Sequence, residues 1–389
     1  MKVKRSLCLD VPPQRDQSSP PSSAPRLRER LAAALSVALL SSCVSGPPTV
    51  APGPDAGTAR ALIDRLLPGN VTDRAGWVGD LYSGFAALSI EPSRERICAV
   101  VAVIEQESNF SIDPPVPGLG ATALREIDER ADRAGVPKLI VHAALDLRSS
   151  SGPSYEQRIR SARTEKDLSD IFEDFIGRVP LGRTLFESRN PVRTRGPMQV
   201  NIAFASSYAA EHPYPYPMSS SLDDELFTRR GSVYFGMAHL LGYRAPYDRY
   251  LYRFADFNAG QYSSRNAAFQ TALGGIAGMR VVPDGALVPH DGNAGAPGNT
   301  EIAVRKIDNR LHLGADAIHA ELEYGRSQEF ERTDLYTGVF ALAERTKGGP
   351  LPKAVVPRIV LRGPKITHAL TTDWYARRVD WRFGRCLKR

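Results

Sequence analysis

Between Ile97 and Ile104 eight consecutive positions carry no polar side chain, and the run closes on Glu105-Gln106-Glu107-Ser108-Asn109-Phe110. Periodicity alone does not separate a buried strand from a buried helix in such a run. Ser93, after Pro92, is a residue type that caps helix N-termini, and Arg94, Glu95 and Arg96 supply a polar first turn, so the pattern predicts a helix. At about 100° per residue, Glu107 shares a face with Val103 and Ile104, while Glu105 points roughly half a turn away. A carboxylate at the apolar end of a buried helix has its neutral form favoured, as a general acid requires. The plainer reading is a helix-end glutamate in water.

The same helical period runs over residues 58–67, 73–88, 222–241, 247–257, 266–273, 300–307, 333–344 and 372–385, the last with Trp374, Val379 and Phe383. Segments 121–134 and 138–147 also read as helices, and Thr164 with Asp167 resembles a capping box ahead of Leu168, Ile171, Phe172 and Phe175. The best strand candidate, 354–361, is weakened by Pro357. No internal repeat is found. The fold expected is mainly α.

The first 42 residues do not read as folded protein. Residues 11–25 are rich in Pro and Ser; then come Arg26, Arg28 and Arg30, the apolar stretch Leu31–Leu40, and Ser41-Ser42-Cys43. This is the pattern of a secretory signal, too short to span a bilayer as a mature helix. Leu40-Ser41-Ser42-Cys43 resembles the bacterial lipobox, which makes Cys43 a lipidated first residue; the alternative is an ordinary signal peptide with a chance cysteine. Val44 rather than Asp follows, which by resemblance to Gram-negative lipoproteins implies the periplasmic face of the outer membrane. Residues 43–57 read as a flexible tether. Of the net charge of +7, +4 lies in residues 1–42, leaving +3 for the rest. That balance gives no support to nucleic-acid binding, and no basic stripe interleaved with aromatics stands out along the chain. Cys8 leaves with the leader, so Cys98 and Cys386 remain as an even pair in an oxidising compartment, either a disulfide or two buried thiols.

Three short stretches carry candidate chemistry: Glu107-Ser108-Asn109-Phe110, then Thr194-Arg195-Gly196-Pro197-Met198-Gln199-Val200-Asn201, then Phe254-Ala255-Asp256-Phe257-Asn258-Ala259-Gly260-Gln261-Tyr262. Each alone is weak. Their order and composition resemble the lysozyme-like lytic transglycosylases, related to the goose-type lysozymes, over residues 90–275. The resemblance implies a lysozyme-like helical core at 58–275 with a helical insertion at 113–190, followed by a mostly helical extension of unknown role at 276–389. It also implies cleavage of the MurNAc–GlcNAc bond of peptidoglycan, with Glu107 as acid and then base and a 1,6-anhydro sugar as product. Ser108 would orient the substrate's N-acetyl group, Gly196 would permit a tight turn, and Met198 would offer an apolar wall. Gln199 and Asn258 would donate to and accept from the sugar, and Gly260 would allow close approach. Pro197 and Phe257 depart from the family pattern, as does the 89-residue gap between Glu107 and Gly196.

For each residue the sequence also holds a structural reading. Met198 is core, Gln199 a cap, Asn258-Ala259-Gly260 a helix C-terminus, and Asp256 a second acid, an exposed carboxylate or, with Arg253 and Arg265, part of a structural ion-pair cluster. The seven histidines form no zinc spacing, and no nucleotide loop or nucleophile elbow occurs, so no metal or cofactor is expected. The basic C-terminus, Arg362-Gly363-Pro364-Lys365 followed by Arg377, Arg378, Arg382, Arg385, Lys388 and Arg389, reads first as a solvated helix face, with anionic glycan or phospholipid headgroups as the functional alternative. The expected partners are glycan strands and, through the anchor, a membrane. Three functions follow: a lytic transglycosylase, a non-catalytic glycan-binding envelope lipoprotein, or a hydrolytic muramidase using Asp256 or another acid.

Overall fold

The computed structural model describes residues 55–178, 190, 192–218, 220–289, 297–361 and 370–389. The signal segment, Cys43, most of the tether and the basic 362–365 stretch lie outside the described residues. Seventeen α-helices and two two-stranded antiparallel ribbons make up the described chain, the mainly α fold read from the helical period. Residues 52–389 form one compact unit.

Helices α1 (Ala56–Leu66), α2 (Arg74–Ala87) and α3 (Arg94–Glu107) open it. The Ser93 hydroxyl accepts from Arg96 N at 3.3 Å and caps α3. All eight residues Ile97–Ile104 are fully buried. A helix apolar on every side must be enclosed on every side, and α3 is the axis of the largest core. Helices α4 (Leu119–Arg133), α5 (Lys138–Leu145), α6 (Tyr155–Ser161) and α7 (Glu165–Arg178) build the insertion around a smaller core of Leu119, Leu124, Leu145, Tyr155, Ile159, Leu168 and Ile171.

Next comes a hairpin, β1 (Thr194–Arg195) and β2 (Val200–Asn201), with Thr194 opposite Asn201. The helices α8 (Ile202–Glu211), α9 (Leu222–Phe227), α10 (Arg229–Leu241), α11 (Tyr250–Ala259) and α12 (Ser263–Ala277) follow. The single helix expected over 222–241 is two, because Thr228 is extended and its hydroxyl accepts from Gly231 N at 3.0 Å, capping α10. Helices α13 (Asn299–Lys306), α14 (Asp308–Leu311), α15 (Ala315–Glu323) and α16 (Asp334–Lys347) pack with α12 around Phe269, Leu273, Val304, Leu322, Phe330 and Val339. Only Val360–Leu361 of the expected strand forms (β3), pairing with β4 (Leu370–Thr371).

The last helix, α17 (Thr372–Leu387), returns to the first core and packs along α3 and α11. Its buried face is Tyr375, Ala376, Val379 and Cys386, whereas Trp374, expected on the apolar side, is 38% exposed. Cys98 and Cys386 form a disulfide. It joins the start of α3 to the end of α17, so the two helices run antiparallel. The boundary expected at residue 275 falls inside α12, and α17 shares one core with α3.

Candidate functional site

Glu107 is the last residue of α3 and half-buried. Its Oε1 accepts a hydrogen bond from the Tyr375 hydroxyl, on α17. Burial first, and then the charge of Glu107, push the Tyr375 phenol well above its usual range, so it stays a donor. Glu105 faces three arginines of the same C-terminal segment, Arg389 at 3.4 Å, Arg385 at 3.7 Å and Arg382 at 3.9 Å. The two acids that the helix period separates are therefore both engaged by the C-terminal segment, one through a hydrogen bond and one through ion pairs.

Just past Glu107 the chain turns sharply. Ser108 ends the helix and donates its hydroxyl proton to Ile104 O at 3.2 Å, back along α3. Asn109 and Phe110 both have left-handed backbone, with φ of 49° and 64°, a conformation costing roughly 1–2 kcal/mol per non-glycine residue. Burial of Phe110 edge-on to Trp77, with ring centroids 5.0 Å apart, holds the turn.

The second stretch is the β1–β2 hairpin. Gly196 has φ +71°, and a Cβ there would lie 2.1 Å from Leu226 O, so both conformation and space demand glycine. Gln199, at φ 51°, closes the turn from its N–H to Gly196 O at 2.9 Å. Its side chain accepts from Thr194 Oγ1 at 2.8 Å and donates to Glu165 Oε2 at 3.0 Å, tying α7 of the insertion to the hairpin. Met198 is a correction to the expected wall: it is fully buried in the main core, its sulfur filling the space over Gly236 of α10. Arg195, given no role by the sequence, is 1% exposed, pairs with Asp223 at 2.7 Å and lies over the Phe227 ring.

In the third stretch Asp256 is fully buried, not exposed. It accepts from the hydroxyls of Tyr243 and Tyr247 at 2.9 and 2.7 Å and from the N–H groups of Tyr262 and Ser264 at 3.1 and 2.6 Å. Burial outweighs these bonds and pushes its carboxyl up to about 6. Asp256 thus fastens the end of α11 to the start of α12. Gly260 has φ +107°, which favours glycine, and among protein atoms a Cβ there would meet only Ser263 Oγ, at 3.6 Å. His239 sits edge-on to Phe204 and Phe257, and desolvation pushes its imidazole down to about 4.

Asn258 is exposed and its Oδ1 accepts from Thr372 Oγ1 at 3.0 Å. Thr372 and Tyr375 stand three residues apart in the first turn of α17, on one face. That turn contacts both, Glu107 through Tyr375 and Asn258 through Thr372. Thr372 and Tyr375 were missed by the sequence reading, which stopped the candidate domain at 275; a Tyr in register with Val379 and Cys386 was the available signal. Four of the seven left-handed non-glycine residues among those described, Asn109, Phe110, Gln199 and Tyr262, lie in the three stretches. Strain of this kind gathers at functional sites. Among the described residues no three His, Cys, Asp or Glu are grouped to hold a metal ion. Two cavities, of about 760 and 550 Å³, are lined by other residues.

No solved structure matches the chain. A curated relative, an uncharacterized protein named YaiW from Escherichia coli (strain K12), is 46% identical over 355 residues, covering 91% of this chain and 96% of the relative. A family model described as "Protein of unknown function (DUF1615)" matches residues 70–389. This corrects the lytic-transglycosylase family membership expected from the three stretches: a handful of positions suggested it, whereas the match runs from residue 70 through every helix from α2 to α17. The chain belongs to the DUF1615 family of proteins of unknown function.

Proposed function

We propose that this protein is an envelope enzyme, lipid-anchored at Cys43 on the periplasmic face of a Gram-negative outer membrane, that cleaves the MurNAc–GlcNAc bond of peptidoglycan without water. The reading is carried by Glu107, a half-buried acid at the end of an all-apolar helix, oriented by Tyr375 and followed by a strained turn. Glu107 protonates the glycosidic oxygen as the C–O bond breaks. The 6-hydroxyl of the same sugar closes on the anomeric carbon and returns its proton to Glu107, leaving a 1,6-anhydro end. One carboxyl suffices for this route, whereas hydrolysis uses two flanking the bond. Two other acids are engaged within the fold, which suits the single-acid route: Glu105 is drawn to three arginines, and Asp256 is buried with four donors around it.

A second reading is a glycan-binding envelope protein without turnover, in which the expected sugar contacts are not arranged for catalysis. Met198 is closed off, and the side-chain amides of Gln199 and Asn258 already bond within the chain. Purified peptidoglycan incubated with wild-type and Glu107→Gln protein separates the readings. Loss of cleavage with binding retained supports the enzyme, and binding without cleavage by either supports the second reading. In cell fractionation, Cys43→Ser is expected to give an unprocessed precursor or a soluble periplasmic form; retention in the membrane fraction with unchanged mobility would remove the anchor.

A further inference from the structure

The helix α17 carries a second surface that the glycan reading does not use. Trp374, Arg378, Trp381 and Arg385 stand at i, i+4, i+7 and i+11, which places them in one stripe roughly 60° wide. The buried face, Tyr375, Ala376, Val379 and Cys386, is on the other side. Trp374 and Trp381 are 38% and 59% exposed, while the chain's third tryptophan, Trp77, is 1% exposed. Arg378 lies 5.5 Å over the Trp374 ring; Arg385 and Arg382 lie 4.7 and 5.9 Å over the Trp381 ring. The expectation that no basic stripe is interleaved with aromatics is corrected here: Trp374, Arg378, Trp381 and Arg385 alternate along α17, and the helical period gathers them on one side.

We propose that this stripe is a membrane-interface face, with the two indoles at headgroup level and the guanidiniums on anionic lipid phosphates. Amphipathic tryptophans and clustered cations are the two signatures of that layer. Charge complementarity supports it. Residues 377–389 hold six Lys or Arg against the single acid Asp380. Glu105 draws three of the arginines only at 3.4–3.9 Å. The chain outside the described residues supports it too. The end of α17 lies on the end of α1, where Arg389 Nη1 donates to Leu66 O at 2.7 Å. Helix α1 is about 16 Å long, and the twelve residues between Cys43 and Ala56 reach at most about 40 Å. A chain held at Cys43 therefore keeps this face within reach of the bilayer. A stacked sugar is the poorer occupant, because guanidiniums already occupy ring surface on which a pyranose would stack.

The test uses the compact unit 52–389, which holds the three cores and the disulfide but neither Cys43 nor the leader's apolar stretch. It is mixed with vesicles of phosphatidylcholine alone or with phosphatidylglycerol added. Sedimentation with the anionic vesicles, a blue-shifted tryptophan emission, and weakening by salt are expected. Trp374→Ala with Trp381→Ala should weaken sedimentation about tenfold or more with unchanged circular dichroism. Equal sedimentation by the double variant, or none at low salt, overturns the proposal. So does retention on purified peptidoglycan that the double variant loses while vesicles go unbound, which would assign the stripe to glycan. Because the unit lacks the lipid site and the readout is not cleavage, failure of the anchor or of catalysis leaves this test standing.

Discussion

The residue whose role changes most is Tyr375. From sequence it is one aromatic in a terminal helix; in the fold it holds the candidate acid. A hydrogen bond to a charged group contributes about 1.5–3 kcal/mol, so if Glu107 must be held in one rotamer, Tyr375→Phe should lower turnover about tenfold to a hundredfold. KM should change little and the fold should persist. Unchanged turnover would make Tyr375 a packing residue only. Asp256 gives a pH dependence of definite sign. Its folded value, about 6, lies above the ordinary 3.8, so the folded state holds the proton more tightly. The associated stability is complete below about pH 4 and is lost as pH rises to about 6, on the order of 3 kcal/mol by linkage. The urea midpoint of the wild type should therefore fall between pH 4 and 6 relative to that of Asp256→Asn. Parallel curves for the two proteins would contradict the assignment. The sequence offered Asp256 as a second acid or an exposed carboxylate. It is not exposed: its four donors come from positions 243–264 that packing of the helices gathers around a fully buried carboxyl.

Among the elements, α3 was legible and α17 only half so. Eight apolar residues after a serine cap leave one arrangement, a helix enclosed on all sides, and the structure has it. The amphipathic period of α17 was legible too, but not which face is buried. Trp374 scores as apolar and yet is exposed, because the buried face is set by Cys386 meeting Cys98 and Tyr375 meeting Glu107, contacts across about 270–290 residues. The hairpin left no periodic trace because each strand has two residues. The disulfide closes a loop across 288 positions, which in the chain-entropy model contributes about 6 kcal/mol, and in practice often less. Reductant should lower the urea midpoint of the wild type to near that of the Cys98→Ser, Cys386→Ser double variant and should leave the double variant unmoved. No response of the wild type to reductant would show that the bridge does not stabilise the fold.

For the whole molecule, the helical class followed from the period of the apolar positions, while the family did not follow from three motifs. The reason lies in the site's architecture. Helix α17 completes the site by linking the end of α3 to the end of α11, through Tyr375 to Glu107 and Thr372 to Asn258. A reading confined to 90–275 lacks that element. The central claim is that this strapped glutamate breaks a glycosidic bond. The direct measurement is mass spectrometry of the fragments released from purified peptidoglycan by wild-type and Glu107→Gln protein. The account predicts 1,6-anhydro-muramic ends from the wild type and a loss of about 10²–10⁴-fold in the variant, the usual cost of removing a positioned general acid. Equal release by the two proteins, reducing ends in place of anhydro ends, or no release by the wild type would contradict it.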